Sequence, residues 1–117
     1  MSYIDGFVIA VPNANREKFI EHARTFDPMF LEVGAIRVME CWGDDVPDGK
    51  VTDFRRAVQA QPDDFVVFSW VEWHDMTTRD PGMAKCMADP RLEAASHCPL
   101  VGKRMIFGGF KSVVSLP

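Results

Sequence analysis

The sequence predicts an α+β fold in which four strands and two main helices follow the order β-α-β-β-α-β. Three observations lead to this prediction. The chain has 117 residues, of which 47% are hydrophobic, which is enough for one domain with an ordinary core. Its apolar residues change between strand and helix spacing in that order. The order is that of the ferredoxin-like motif, whose four-stranded antiparallel sheet carries helices on one face. We therefore expect a single domain over residues 1–117.

The first strand and helix are defined by a change in periodicity. Tyr3 to Val11 is rich in β-branched and aromatic residues, which favours a strand. From Asn13 the apolar residues recur at helical spacing until just before Gly34. Pro28 lies inside this helix and cannot donate a backbone hydrogen bond. It therefore predicts either a kink or a restart with Asp27 as the cap.

The second strand is predicted over Ala35 to Trp42, and a long connection follows it from Gly43 to Pro62. The connection begins with a cluster of turn-forming residues. It then contains Phe54 to Val58, which suits either a short helix or an edge strand. Such long connections are often functional. The stretch from Asp44 to Phe54 is interpreted either as a lid over a pocket or as a clasp between two subunits.

The second half supplies two strands and the second helix. Phe65 to Trp73 is the strongest strand, and Arg104 to Val114 is the last one, with a bulge or a close backbone approach expected at Gly108-Gly109. Asp75 can cap the second helix, but Pro81-Gly82 predicts a late start or a break in it. A further short helix is expected after Asp89.

The strands carry apolar residues at both alternating positions, so both faces of the sheet should be covered. Helices cover only one face of a ferredoxin-like sheet with strand order 4-1-3-2. The other face should therefore pack against the same face of a second copy, and we expect a homodimer.

Five strings of the chain form a recognisable pattern: Tyr3-Ile4-Asp5-Gly6-Phe7, Glu40-Cys41-Trp42, Asp45-Val46-Pro47-Asp48-Gly49-Lys50-Val51-Thr52-Asp53-Phe54, Gly102-Lys103-Arg104-Met105-Ile106 and Gly108-Gly109-Phe110. These strings resemble the YbaA-like family of small bacterial proteins, whose function is unknown. The resemblance covers nearly the whole chain and implies the dimeric α/β-barrel architecture, which cofactor-free antibiotic monooxygenases share, but it implies no activity.

Composition argues against several classes of partner. The net charge of -4 repels nucleic acid phosphates. No apolar run approaches the roughly 20 residues of a membrane span, and no secretory signal is visible, so the expected location is the cytoplasm. The chain has three cysteines, an odd number, and none of them forms a C-x-x-C pair. Neither a disulfide framework nor a thiolate metal site is therefore indicated.

Three carboxylates within apolar strands are the candidate catalytic residues: Asp5, Glu40 and Glu72. A desolvated carboxyl has a raised pKa and suits general acid or base catalysis near neutral pH. The predicted strand order could bring the three together. The alternative is that each forms a structural ion pair with Arg37, Lys103 or Arg104, or lies at a strand end in water.

Substrate-binding candidates come from aromatic and charged residues near those strands. Trp42 and Trp70 could line an aromatic pocket, although core packing is an ordinary role for either. The loop carries Asp45, and Arg55 or Arg56 could meet an anionic group; Arg104 is a further substrate-binding candidate. His22, His74 and His97 show no metal-binding spacing, and the glycines form no nucleotide-binding motif, so we expect neither metal nor cofactor.

Two functions remain open at this point. One is a dimeric module that binds a small metabolite in a pocket between sheet and helices. The other is a cofactor-independent enzyme, isomerase-like or monooxygenase-like, that acts on a small aromatic or carbonyl compound with a buried glutamate as acid or base. Asparagine occurs only at Asn13 and Asn15, outside the strands, which weakens the oxygenase form of the second function.

Overall fold

A computed structural model describes residues 2–92 and 104–117. His97 and Cys98, which the sequence left without an assigned role, lie outside the described residues. The elements are strands β1 (Tyr3–Pro12), β2 (Arg37–Trp42), β3 (Asp64–Trp73) and β4 (Met105–Lys111), and helices α1 (Arg16–Phe26), α2 (Pro28–Glu32), α3 (Phe54–Ala57) and α4 (Met76–Ala88). A short 3-10 turn, Asn13–Asn15, joins β1 to α1.

The four strands form one antiparallel sheet in the order β2-β3-β1-β4, as the sequence predicted. β1 and β3 pair over ten residues, from Tyr3 opposite Trp73 to Pro12 opposite Asp64. Side chains alternate between the two faces along each strand. This register gives the sheet a helix face, covered by α1, α2 and α4, and an open face, of which only one end is covered.

The core lies on the helix face. Val11, Val67 and Trp73 are fully buried there. Phe19 of α1 packs in one cluster with Val11 and Val67, and Trp73 packs in a second cluster with Tyr3 and Val71. On the open face a smaller cluster of Ala10, Val66 and Val58 is buried beneath the end of α3.

The first helix breaks where the sequence indicated. α1 ends at Phe26, and α2 begins at Pro28 in the first-turn position that proline favours. Asp27 joins the two helices through its backbone: its N–H donates to the Ala23 carbonyl at 2.8 Å, and its carbonyl accepts from the Phe30 N–H at 3.0 Å. Its side chain makes no capping hydrogen bond.

The second helix corrects a sequence prediction, because α4 runs without a break through Pro81. The Asp75 side chain caps it by accepting from the Thr78 N–H at 2.8 Å, so the helix starts early and loses only one interior hydrogen bond at the proline. Gly82 then lets α4 approach the sheet closely, since a Cβ there would lie 2.6 Å from Cζ3 of Trp73. The predicted helix after Asp89 begins at Pro90, and the chain beyond Leu92 lies outside the described residues.

In β4, Gly108 and Gly109 keep regular pairing with β1, so the predicted bulge is wrong. The predicted close approach is confirmed, since a Cβ on Gly109 would lie 2.9 Å from Cε1 of Tyr3. The segment Phe54–Ala57, left open between helix and strand, is helical.

Candidate functional site

A cleft of about 650 Å³ lies on the helix face, between the broken first helix and the edge strand β2. This volume falls in the range of small-molecule pockets. Its lining combines an apolar wall with three kinds of polar group: guanidinium groups, two carboxyl groups and an indole. The lining residues are Arg16, Phe19, Ile20, Ala23, Arg24, Asp27, Pro28, Leu31, Val38, Glu40 and Trp42.

The β2 register explains which side chains enter the cleft. Glu40 pairs with Ser69 of β3, and Trp42 pairs with Val67, so both point to the helix face. The Ser69 hydroxyl, which is buried, donates a hydrogen bond to Oε2 of Glu40. That contact fixes one oxygen of the Glu40 carboxylate against the sheet.

Asp27 contacts Glu40 across the cleft. Because its side chain does not cap α2, the carboxyl group is free to hydrogen-bond with the Glu40 carboxyl. Burial, and then this hydrogen bond and the negative charge of Glu40, raise the pKa of Asp27 to about 8. At neutral pH the Asp27 carboxyl therefore keeps its proton and can donate it in the hydrogen bond to Glu40.

Aromatic and basic side chains border this carboxyl pair. Trp42 packs against Phe19 and Phe65, with ring centroids 6.3 and 5.4 Å away, and the Arg16 guanidinium lies 5.5 Å from the centre of the indole. Arg24 is exposed in the last turn of α1 and forms no ion pair with any residue that the structure describes. The cleft thus offers positive charge beside an acidic pair.

The predicted meeting of the three carboxylates is wrong. Glu40 faces the helices, whereas Glu72 pairs with Arg37 and Ile4 in the register and faces the open side. Alternation within one strand shows which of its own side chains lie on the same side. The register between strands decides which side chains of two different strands share a face of the sheet.

Asp5 lies on the helix face but is occupied by an ion pair that the sequence did not anticipate. Arg79 of α4 binds it in a bidentate manner, with Nη2 2.7 Å from Oδ1 and Nε 3.1 Å from Oδ2, and Trp73 Nε1 donates to Oδ2 at 2.9 Å. The guanidinium also lies 5.0 Å from the centre of the Tyr3 ring. Asp5 is 3% exposed, and breaking such a buried pair would cost about 3 kcal/mol or more. The ion pair between Asp5 and Arg79 therefore has a structural role and holds α4 against β1.

Arg55 and Arg104 bind the segment around Asp64 and are not among the residues that line the cleft. Arg104 forms an ion pair with Asp64 and donates to the Gln59 carbonyl, and Arg55 donates to the carbonyls of Asp64 and Gln61, both at 2.8 Å. Burial raises the pKa of Asp64, but the hydrogen bonds from Arg104 and the Gln61 N–H outweigh it and leave that pKa low. The two arginines therefore fix the start of β3, and their role in binding a substrate stays a prediction.

The loop before α3 is held by its own hydrogen bonds. Asp53 accepts from the N–H groups of Gly49 and Arg56 at 3.1 and 2.7 Å. Phe54 packs edge-on against Phe68, with centroids 6.2 Å apart, so α3 borders the open face and not the cleft. Asp45 is exposed in this loop and does not line the cleft.

Trp70 and Glu72 share the open face. With Phe68, Ile106 and Phe110 they line a shallow apolar concavity of about 660 Å³. Within residues 2–92 and 104–117 the Glu72 side chain forms no hydrogen bond or ion pair. Over the same residues no group of three or more His, Cys, Asp or Glu side chains comes close enough to hold a metal ion, and no helix is long and apolar enough to span a membrane.

Sequence reasoning missed Asp27, as well as Arg16 and Arg24, which also line the cleft. The Asp-Pro pair at a helix restart indicates a capping aspartate, and that is the role the sequence predicted. The only available signal was the presence of a carboxyl group facing the strand that carries Glu40, and this becomes visible only with the fold.

Comparison with known proteins places the chain among proteins of the same architecture. A family profile described as a protein of unknown function (DUF1428) matches residues 2–102. The uncharacterized protein YbaA of Escherichia coli strain K12 is 50% identical over 115 residues, which cover 97% of this chain and 98% of that protein.

Two solved structures share the fold. SnoaB, a cofactor-independent oxygenase from Streptomyces nogalater, superposes with a TM-score of 0.66 at 15% identity over 99% of this chain and 97% of its own. A dimeric ferredoxin-like protein from an uncultured marine organism gives 0.62 at 12% identity over 99% and 97%. These matches confirm the ferredoxin-like fold.

The carboxyl pair predicts an unusual dependence of stability on pH. The native state keeps the Asp27 proton up to about pH 8, whereas an ordinary Asp releases it near 3.8. Between those values the native state binds more protons than the unfolded state, so the free energy of unfolding should fall as pH rises, by about 1 to 2 kcal/mol for a partly exposed group. Urea denaturation from pH 5 to 9 measures it.

Asp27→Asn is the matched variant, because it keeps the shape and removes the titrating group. In Asp27→Asn the free energy of unfolding should fall less between pH 5 and 9 than in wild type. At pH 9 the variant should be more stable than the wild-type protein. Asp64, whose pKa is lowered, loses its contribution only under acidic conditions, outside this range. A wild-type decline that persists unchanged in Asp27→Asn would contradict the assignment.

Proposed function

The chain belongs to the DUF1428 family, whose function is unknown, and from that starting point we propose that it binds a small organic molecule in the cleft between α1, α2 and β2 of each subunit of a homodimer. The carboxyl pair of Asp27 and Glu40 in a largely apolar cleft is the observation that carries this proposal. Of the residues predicted from sequence, Glu40 and Trp42 belong to this site.

The energetic cost of the pair supports a function for it. Two carboxyl groups in contact repel when both are ionised, and desolvation adds to the cost. A structural role would be served as well by an amide, which carries no charge. Perturbed carboxyls in clefts are characteristic of functional sites, whereas the partnered carboxylates of Asp5 and Asp64 have the geometry expected of structural ones.

The lining indicates the kind of ligand. Phe19 and Leu31 provide apolar surface for a hydrophobic body, and Trp42 provides an aromatic one. The Asp27 carboxyl can donate a hydrogen bond through its proton, and the oxygens of Glu40 can accept one. The printed description of SnoaB as a cofactor-independent oxygenase supports only the fold here, since the two chains share 15% identity.

The open face supports a homodimer. Phe68, Ile106 and Phe110 are 43%, 46% and 61% exposed on a sheet face whose other end is buried by α3. Apolar surface of this kind marks an interaction site. The marine protein of the same fold is described as dimeric, and a second copy of this sheet face would cover the patch by two-fold symmetry.

We further propose that the protein is located in the cytoplasm.

A thermal-shift screen against small organic acids, alcohols and amines tests ligand binding. A ligand at about 100 times its Kd adds roughly 2.7 kcal/mol to native stability and raises Tm by several degrees. Glu40→Gln should abolish the shift, whereas Glu72→Gln should leave it intact, because the two glutamates lie on opposite faces of the sheet.

Two results would contradict the proposed site. One is the absence of any stabilising compound for wild type. The other is a compound whose shift survives Glu40→Gln but is lost in Glu72→Gln, which would place the ligand on the open face.

Sedimentation analysis tests the dimer. The wild-type chain should sediment as a dimer, and Phe110→Lys should weaken association at least about 30-fold, the effect of losing about 2 kcal/mol at an interface centre. Met87→Lys is the control, because Met87 is 62% exposed on α4, on the helix face. A monomeric wild type, or a dimer insensitive to Phe110→Lys, would refute the interface.

A further inference from the structure

The cleft contains a base, an acid and a cation in one place. Glu40 is held by Ser69, and Asp27 contacts Glu40 from the junction of α1 and α2. Arg24 precedes Asp27 by three residues, so it lies one helical turn away on the same side of the chain and also lines the cleft. Arg16 lies two further turns toward the start of α1, over Trp42.

These positions define three zones along the cleft. Trp42 and Phe19 form an aromatic zone, the carboxyl pair forms the middle, and the Arg24 guanidinium adds positive charge next to the pair. A molecule that fits all three has an aromatic ring, an enolisable carbonyl and a carboxylate bonded to that carbonyl. Aromatic 2-oxo acids have this arrangement.

We propose that the cleft catalyses keto–enol proton transfer on aromatic 2-oxo acids, with the Glu40 carboxylate as base and protonated Asp27 as acid. The inference rests on the proposed function, because it needs the same cleft to bind the molecule. It deepens that function by naming the substrate class and the reaction.

The proton balance closes within the pair. Glu40 removes a proton from the carbon next to the carbonyl, the electrons of that C–H bond form the C=C bond, and Asp27 gives its proton to the carbonyl oxygen. The product is the enol, and the pair ends with the proton on Glu40 in place of Asp27. Exchange with water or the reverse reaction resets it, and no electrons are gained or lost.

The chemistry suits this pair for a physical reason. Proton abstraction next to a carbonyl needs a base and an acid at the same time, since the negative charge developing on oxygen must be neutralised. Two carboxyl groups that share one proton provide one of each near neutral pH. The Arg24 cation would hold the substrate carboxylate.

Deuterium exchange into phenylpyruvate, followed by proton NMR at pD 7, tests the inference. Wild-type protein should accelerate loss of the C3 proton signal at least about 100-fold over buffer at equal concentration, the ordinary lower limit for acid–base catalysis. Glu40→Gln and Asp27→Asn should each return the rate to the buffer value. Glu72→Gln is the matched control and should exchange as wild type does.

Saturation-transfer NMR on the phenyl protons of the same samples separates binding from chemistry. Binding without acceleration would overturn the proton transfer and leave the ligand-binding proposal standing. The absence of binding would overturn the substrate class, and the thermal-shift screen decides the ligand-binding proposal separately. Equal loss of exchange in Glu72→Gln would also overturn the assignment. If Asp27→Asn fails to fold by circular dichroism, Glu40→Gln decides, because Glu40 is exposed on an edge strand.

Discussion

The ten-residue pairing of β1 with β3 fixes which side chains lie on each face of the sheet, and the other elements build on that assignment. It directs Val11, Val67 and Trp73 to the helices, where they are fully buried, and leaves Phe68 and Trp70 on the opposite side. The same alternation continues into β2 and separates Glu40 from Glu72. The helix-facing position of the cleft and the open face of the sheet both follow from this register.

The second constraint is the break at Asp27-Pro28. A proline in the middle of a helix removes a hydrogen bond, and the chain accommodates it by ending one helix and starting another. The backbone of Asp27 hydrogen-bonds to both helices, and its carboxyl group, which caps neither, meets Glu40. Local chain chemistry thus places an acidic side chain where desolvation and a neighbouring carboxylate keep it protonated. The proposed ligand site depends on this geometry.

Much of the fold could be predicted from the sequence, because strand and helix spacing differ and the strand order follows from the motif. The strands, the restart at Pro28 and the family were confirmed. The continuity of α4 through Pro81 was missed because it depends on the Asp75 cap and on the contact of Gly82 with Trp73. The residues of the candidate site were harder to predict from the sequence. Pairing of Asp5 with Arg79 and of Asp64 with Arg104 requires elements far apart in sequence to meet, and the carboxylates of Glu40 and Glu72 were separated by a register that no single strand reveals.

The proposed site depends on an Asp27 carboxyl that stays protonated at neutral pH beside Glu40. Carbon-13 NMR titration of the side-chain carboxyl groups, with Asp27 assigned through Asp27→Asn, measures this directly. We expect the Asp27 carboxyl to titrate with a pKa of about 8 in the wild-type protein, and the midpoint should fall clearly in Glu40→Gln, where the neighbouring charge is gone. A wild-type Asp27 that titrates near 3.8, the ordinary aspartate value, would contradict the protonated Asp27 and with it the proposed site.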